Sequence, residues 1–181
     1  MEGVSSQFSL PDPSGKFKVG TVEIMLTDHN RVDPYAPDSQ KRTIMMQVFY
    51  PAKGTHRYPV SPYMPKGTAQ FENQAFGLPN NTLQSIQTQA YIGAPIAVYN
   101  PQVVIFSPAL STTRHLYTSL LSDVASRGYL VVSIDHPYDA DVVELPDGKL
   151  ITGVLGGDLT VEQINEALGV RTQDASFTGC S

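Results

Sequence analysis

Cysteine is almost absent from the sequence, because only Cys180 among the 181 residues carries a thiol. A lone cysteine cannot form a disulfide bond within the chain, and without accompanying Cys/His spacing it does not indicate structural zinc. We therefore expect a reducing, intracellular setting, with the cytoplasm as the location. We also expect neither a metal nor any other cofactor.

Long apolar runs and clusters of basic side chains are missing as well. No stretch of about 18 apolar residues occurs, so no transmembrane segment is predicted. The first residues lack the basic patch and apolar run of a secretory signal. The net charge is -5 and no stripe of Lys and Arg is present, which disfavours nucleic acid as a partner.

What the sequence does contain is typical of a globular protein. Hydrophobic residues make up 41% and charged residues 16% of the chain, a balance that supports a packed core rather than disorder. The length allows one domain or part of a larger one, and we interpret residues 1–181 as a single α/β domain. Residues 51–101, broken by seven prolines, are expected to be an irregular insertion or connection.

The central pattern is a strand, a helix and a second strand. Val103 to Phe106 and Tyr129 to Ile134 are continuous apolar runs, which indicates strands buried on both faces. Between them Leu116, Leu120 and Val124 recur at helical spacing. A strand, helix and strand within about 30 residues predicts a parallel pair, since antiparallel neighbours need only a tight turn.

The flanking segments are assigned by the same patterns. Val19 to Thr27 and Arg42 to Tyr50 are predicted strands that pair antiparallel, and a helix is considered around Thr82 to Tyr91. Glu144 to Ile151 predicts a hairpin about Asp147-Gly148. Thr160 and Gln163 form a capping box that opens a short helix ending at Leu168.

Two loops follow the parallel strands and are the places to look for a site. Ligands bind at the carboxyl ends of strands in open parallel sheets, which nominates Ser107 to Arg114 and Asp135 to Asp141. Asp135, His136, Asp139 and Asp141 are metal-ligand types, but their spacing matches no metal loop, so no metal is assigned.

The first loop carries a family resemblance. Phe106-Ser-Pro-Ala-Leu-Ser-Thr-Thr-Arg114 resembles the Phe-Ser-His-Gly-Leu-Gly-x-x-Arg loop of α/β-hydrolases, within them the platelet-activating factor acetylhydrolase-like esterases and their fungal members. Pro108-Ala109 replaces the family's His-Gly, and Ser111 replaces its next glycine. The order of the first two strands and the later Arg171-x-x-Asp174 segment are also similar to this family.

This resemblance implies a fold and a function. The fold is the amino-terminal portion of an α/β-hydrolase sheet, and the activity is hydrolysis of a small-molecule or lipid-like carboxylic ester, as by a 1-alkyl-2-acetylglycerophosphocholine esterase in lipid degradation. The backbone N–H of Leu110 corresponds to an oxyanion-hole donor. Ser111, His136 and Tyr138, on the two nominated loops, are assigned as substrate-binding residues.

The sequence contains no Gly-x-Ser-x-Gly, the motif that carries the nucleophile in this fold. We therefore expect the triad of the family to lie beyond residue 181, and residues 1–181 alone to lack esterase turnover. An incomplete sheet should expose an edge and self-associate through it. Two alternatives stay open: a non-catalytic remnant that binds a ligand or partner, and a hydrolase-like enzyme of secondary-metabolite biosynthesis.

The four histidines do not indicate a triad within this chain. Adjacent side chains on an extended backbone point to opposite faces, so Asp135 and His136 are not expected to act as a pair. For His136 we predict a hydrogen bond that orders its loop, with Asp139, Asp141 or the backbone as the partner. His115, at the first turn of the predicted helix, is expected to be solvated.

Overall fold

The computed structural model describes residues 8–179. It contains one mixed sheet, a separate two-stranded hairpin and the helices that pack around them. The strands are β1 (Lys18–Val32), β2 (Lys41–Ala52), β3 (Val60–Pro62), β4 (Gln87–Ile92), β5 (Val103–Phe106), β6 (Leu130–Asp135), β7 (Val142–Glu144) and β8 (Leu150–Thr152). The α-helices are α1 (Lys66–Ala75), α2 (Thr118–Ser126) and α3 (Val161–Gly179), and short 3-10 turns occur at Thr55–Arg57, Leu83–Ser85 and Arg114–Tyr117.

The sheet has six strands in the order β3-β4-β1-β2-β6-β5. β1 and β2 pair antiparallel, and β5 pairs with β6 in parallel, as the sequence predicted. β2 joins the two halves because it also pairs antiparallel with β6. The predicted fold class, antiparallel first strands followed by a parallel strand-helix-strand unit, is confirmed.

Helix α2 covers one face of this sheet, and its apolar side explains why. Leu121 and Ala125 are buried against Val19, Phe49 and Val131 from β1, β2 and β6. Burial of such side chains stabilises the fold by roughly 25 cal/mol per Å² of apolar surface removed from water. The crossover helix is thereby fixed above the strands whose ends carry the nominated loops.

Residues 51–101 contain more regular structure than their prolines suggested. They hold β3, α1 and β4, and β4 lies inside the sheet between β3 and β1. The helix considered around Thr82 to Tyr91 is wrong, because β4 occupies the second half of that range and the first half holds only the 3-10 turn at Leu83–Ser85. Thr88 and Ala90 are buried while their neighbours are not, which is the two-residue period of a strand.

β6 is largely buried as predicted, but β5 is not. Val103, Val104 and Ile105 are 60%, 37% and 41% exposed. The expectation that β5 is buried on both faces is therefore wrong for residues 8–179. β5 is the last strand of the sheet, and no further strand from the described part of the chain pairs with its outer edge, which agrees with the expectation that an incomplete sheet exposes an edge.

The carboxyl-terminal elements agree with their local signals. β7 and β8 pair about a turn in which Gly148 has a φ of 84°, as predicted for Asp147-Gly148. In the capping box, Thr160 N–H donates to Gln163 Oε1 at 2.9 Å and Gln163 N–H donates to Thr160 Oγ1 at 3.3 Å. The helix does not end at Leu168, however, since α3 continues to Gly179. The prediction concerning Cys180 lies outside the described residues.

Candidate active site

The two nominated loops are held together by a buried ion pair. Asp135, at the end of β6, accepts the backbone N–H of Arg114 at 2.6 Å and also binds the Arg114 guanidinium. The same guanidinium reaches Glu23 of β1 at 2.8 Å. Because Asp135 and Arg114 are each only 1% exposed, neither charge can be solvated, and the pairing fixes the start of the 3-10 turn that precedes α2.

A second arginine, Arg171 of α3, clamps the loop after β5. Its guanidinium donates to both carboxylate oxygens of Asp139, each at 2.6 Å. It also donates to the carbonyl groups of Pro108 and Ala109 and, at 3.2 Å, to Ser107 Oγ. Bidentate arginine pairs restrict orientation as well as distance. The loop that resembles an oxyanion loop is thus positioned from the helix above it.

Asp174 lies one turn beyond Arg171 on α3 and forms the centre of a buried charge cluster. It accepts from Arg42 at 2.7 Å, from Arg31 at 2.8 Å and from His136 Nδ1 at 2.8 Å. Burial alone would raise the pKa of Asp174, but the hydrogen bonds from His136 and Arg42 and the charge of Arg42 lower it to about 2. Asp174 is therefore a carboxylate at neutral pH.

His136 connects that carboxylate to the loop after β5. Its Nε2 lies 2.9 Å from Ser107 Oγ, while its Nδ1 faces Asp174. The predicted side-chain partners Asp139 and Asp141 are wrong for the ring, because Asp174 and Ser107 bind it, although the backbone N–H of Asp139 does donate to the His136 carbonyl. As expected, Asp135 and His136 point to different partners.

The hydrogen-bonded order is therefore Ser107, His136, Asp174. When the imidazole is neutral and its proton is on Nδ1, the Asp174 carboxylate accepts that proton, Nε2 is an acceptor, and the Ser107 hydroxyl can donate to it. Sequence reasoning did not identify Ser107 or this role of Asp174. The available signals were that Ser107 directly follows a parallel strand and that Arg171 and Asp174 are three residues apart on one helix.

Leu110 lies in a turn on the same loop. No acceptor for the Leu110 N–H is found among residues 8–179. Leu110 lines an open cleft of about 450 Å³ together with Ser107, Ala109, Leu168, Arg171 and Thr172. An unpaired donor beside a cleft is what stabilisation of a developing oxyanion requires. The oxyanion role itself stays a prediction.

Replacement of the family's glycine by Ser111 leaves a visible trace in the backbone. Ser111 has a φ of 56°, in the left-handed region that glycine adopts at little cost, whereas Ala109 is not among the residues with positive φ. The Ser111 Oγ donates to the Leu155 carbonyl at 2.9 Å, and the Ser111 N–H donates to Asp139 at 3.4 Å. Local bonds to the hydroxyl and the backbone therefore hold the turn that a glycine would form.

The assigned substrate contacts are placed differently from one another. Ser111 and Tyr138 do not line the cleft that Leu110 lines. Tyr138 has a φ of 67° and its hydroxyl accepts a hydrogen bond from Gln40 at 2.6 Å. His136 is 1% exposed and reaches the cleft only through Ser107. As substrate-binding residues, these three stay predictions.

Two further buried titratable side chains, Glu72 and His115, lie outside the hydrogen bonds that join Ser107, His136 and Asp174. Glu72 of α1 is fully buried, and no N–H or hydroxyl group within residues 8–179 donates to its carboxyl oxygens, which instead share a hydrogen bond with the Asp141 carboxyl group. Burial, together with the nearby Asp141 carboxylate, raises the pKa of Glu72 to about 8. His115, expected to be solvated, is 2% exposed, and burial followed by the charge of Arg114 lowers its pKa.

No group of three or more His, Cys, Asp or Glu side chains within residues 8–179 is arranged to hold a metal ion. None of the helices in this part of the chain is long and apolar enough to cross a membrane.

The fold is that of an α/β-hydrolase-like esterase. A ferulic acid esterase from Streptomyces cinnamoneus is similar in structure, with a TM-score of 0.83 and 30% sequence identity, covering 96% of this chain and 48% of the other. Residues 2–143 match the family model of platelet-activating factor acetylhydrolase, isoform II. The chain belongs to that family, as the loop after β5 indicated.

A second similar protein is also an esterase by name, and it shows how much of a relative's length this chain covers. The probable 1-alkyl-2-acetylglycerophosphocholine esterase of Arthroderma benhamiae is 31% identical over 200 residues, which cover 96% of this chain and 49% of that protein. The chain therefore spans about half the length of the relatives it matches.

Proposed function

We propose that this chain is the amino-terminal half of a carboxylic-ester hydrolase that acts on small-molecule or lipid-like esters. The observation that carries the proposal is the Leu110 N–H, which has no acceptor among residues 8–179 and belongs to a loop fixed by Arg171. The two esterases to which the chain is similar support the reaction class. The named activity of the Arthroderma relative suggests the acetyl ester of a glycerophosphocholine and a role in lipid degradation.

In the proposed reaction this half supplies positioning and charge stabilisation. When a serine attacks an ester carbonyl, negative charge develops on the carbonyl oxygen, and a preorganised backbone N–H stabilises it. Arg171 and Asp139 keep the loop from relaxing, so that the donor does not need to reorganise. The sequence has no Gly-x-Ser-x-Gly, so the proposal requires that the nucleophile come from outside these 181 residues.

A chimera tests this division of roles. Residues 1–181 are joined to the carboxyl-terminal half of the Arthroderma esterase, and hydrolysis of p-nitrophenyl acetate is measured. We expect saturable turnover from the chimera and none from residues 1–181 alone. An inactive but cooperatively folded chimera would favour the non-catalytic remnant, which the missing motif also suggests.

A pair of substitutions at Leu110 tests the donor itself. Leu110→Pro removes the N–H, whereas Leu110→Ala trims the side chain and keeps it. Proline suits this position, because Ser111 after it has a positive φ, as in a turn that accepts proline at its second residue. We expect the proline variant of the chimera to lose about 10²–10³ in kcat and the alanine variant to lose much less. Equal losses would contradict the oxyanion role.

A further inference from the structure

Ser107, His136 and Asp174 meet at the carboxyl ends of β5 and β6, although the sequence offers no nucleophile motif there. Ser107 Oγ is 2.9 Å from His136 Nε2, and His136 Nδ1 is 2.8 Å from Asp174 Oδ2. Both distances fall within the range of about 2.6 to 3.2 Å that relates a nucleophile to its base and the base to its orienting group. The order of roles is that of a serine hydrolase triad, built from other positions.

The three residues differ in exposure in a way that suits such a triad, since the base and the acid are buried and the serine is exposed. Asp174 is 0% and His136 1% exposed, so the base and its orienting carboxylate are shielded from water. Ser107, in contrast, is exposed and lines the open cleft. A reagent can therefore reach the hydroxyl, while the proton acceptor behind it stays in place.

The charges around the three residues favour removal of the serine proton. Arg42 and Arg31 keep the Asp174 carboxylate ionised, so that it holds the Nδ1 proton and leaves Nε2 free to accept. Arg171 Nη1 lies 3.2 Å from Ser107 Oγ and would stabilise an oxygen that becomes negative. A serine that served only to order the loop would have no need of an accessible hydroxyl.

We propose that Ser107 is an activated serine, with His136 as its base and Asp174 as the residue that positions the base, and that it accepts an acyl group from activated esters. Oγ forms a bond to the carbonyl carbon, and its proton passes to His136 Nε2. The bond from that carbon to the leaving oxygen breaks, and the alcohol takes the proton from His136. The products are acyl-Ser107 and the free alcohol.

This reactivity is independent of the proposed function, since it requires no nucleophile from another part of a longer protein and no repeated turnover. It is tested on residues 1–181 alone, where a family nucleophile cannot contribute. The probe is an alkyl fluorophosphonate, which forms a stable bond with an activated serine. The adduct is measured by intact mass and located by peptide mapping on the unaltered chain.

We expect one adduct per chain, located at Ser107. Ser107→Ala should abolish it, while Ser176→Ala, which removes an exposed hydroxyl from α3, should leave the rate unchanged. His136→Gln should slow labelling by about 100-fold or more, because the hydroxyl loses its base. Thermal melts establish that each variant is folded.

Three results would overturn the assignment: a folded chain that takes up no probe, an adduct mapped to another residue, or equal labelling of the Ser107→Ala variant. Mapping on the unaltered chain decides the matter even if a variant fails to fold. A second arm uses p-nitrophenyl acetate, for which we expect release of one nitrophenolate per chain and the mass gain of one acetyl group at Ser107.

Discussion

The pKa values of two fully buried carboxyl groups in this protein are shifted in opposite directions. Asp174 of α3 and Glu72 of α1 are each 0% exposed. The pKa of Asp174 is lowered to about 2, whereas that of Glu72 is raised to about 8. Burial raises the pKa in both cases, so burial alone cannot account for the difference.

The difference comes from the neighbours. Asp174 faces Arg42, Arg31 and His136, which donate hydrogen bonds to it. Glu72 has no such donor within residues 8–179 and lies near the carboxylate of Asp141. A buried charge persists where cations pair with it, whereas a buried acid whose neighbour is another carboxyl group keeps a proton, which the two groups can share in a hydrogen bond. Asp174 therefore holds α3 on the sheet as an ion, while Glu72 is a neutral acid at neutral pH.

The largest expected effect is at Asp174. Asp174→Ala would leave Arg42, itself 1% exposed, with a buried charge and, among residues 8–179, only Asp33 as an acidic ion-pair partner. We expect a loss of about 3–5 kcal/mol in the free energy of unfolding, measured by urea denaturation. Glu166→Ala removes an exposed acid from the same helix and should change stability by less than about 0.5 kcal/mol. Equal effects would show that the cluster does not anchor α3.

The second prediction concerns pH and Glu72. The pKa of Glu72 is 4.5 in the unfolded chain but about 8 in the folded chain. The folded chain therefore binds more protons between these two pH values. Stability should therefore fall as pH rises from about 4.5 to about 8, by on the order of 5 kcal/mol for this group. Asp174, with its lowered pKa, acts in the opposite sense and loses its contribution only in acid.

Glu72→Gln removes the titration while keeping the shape of the side chain. Its unfolding free energy should depend less on pH than that of the unaltered chain, and it should be the more stable of the two at pH 9. Urea denaturation at pH 5, 7 and 9 measures both curves, with Glu166→Gln as the control on the surface. Parallel curves for Glu72→Gln and the unaltered chain would rule out a buried neutral Glu72.

A feature of the fold could be predicted from the sequence where its signal lies within a short stretch of residues. The pairing of β1 with β2, the parallel unit of β5 and β6 and the capping box at Thr160 follow from periodicity and short motifs, and they are confirmed. β4 was missed because a strand that alternates Thr88 and Ala90 with polar neighbours carries little apolar contrast.

The site shows the same limit. Leu110 was nominated from a contiguous motif, whereas the contact between His136 and Asp174 joins residues 38 positions apart. Only the packing of α3 over the ends of β5 and β6 brings them together. Asp139 and Asp141, the partners predicted from the loop itself, are nearer to His136 in sequence but do not bind its ring.

The smallest expected change in stability is at the edge of the sheet, where the side chain to be replaced is exposed rather than buried. Val103 is 60% exposed on β5, whose outer edge is unpaired by any strand of the described chain. Exposed apolar edge strands favour pairing with another chain, and a lysine there opposes it. Val103→Lys should shift sedimentation toward monomer while changing the unfolding free energy by less than about 0.5 kcal/mol. Leu120→Lys, at a 55% exposed apolar position on α2 that offers no strand edge, is the matched control and should leave the association unchanged. If both variants dissociate the chain equally, or if the unaltered chain is monomeric at every concentration, the edge of β5 does not drive self-association.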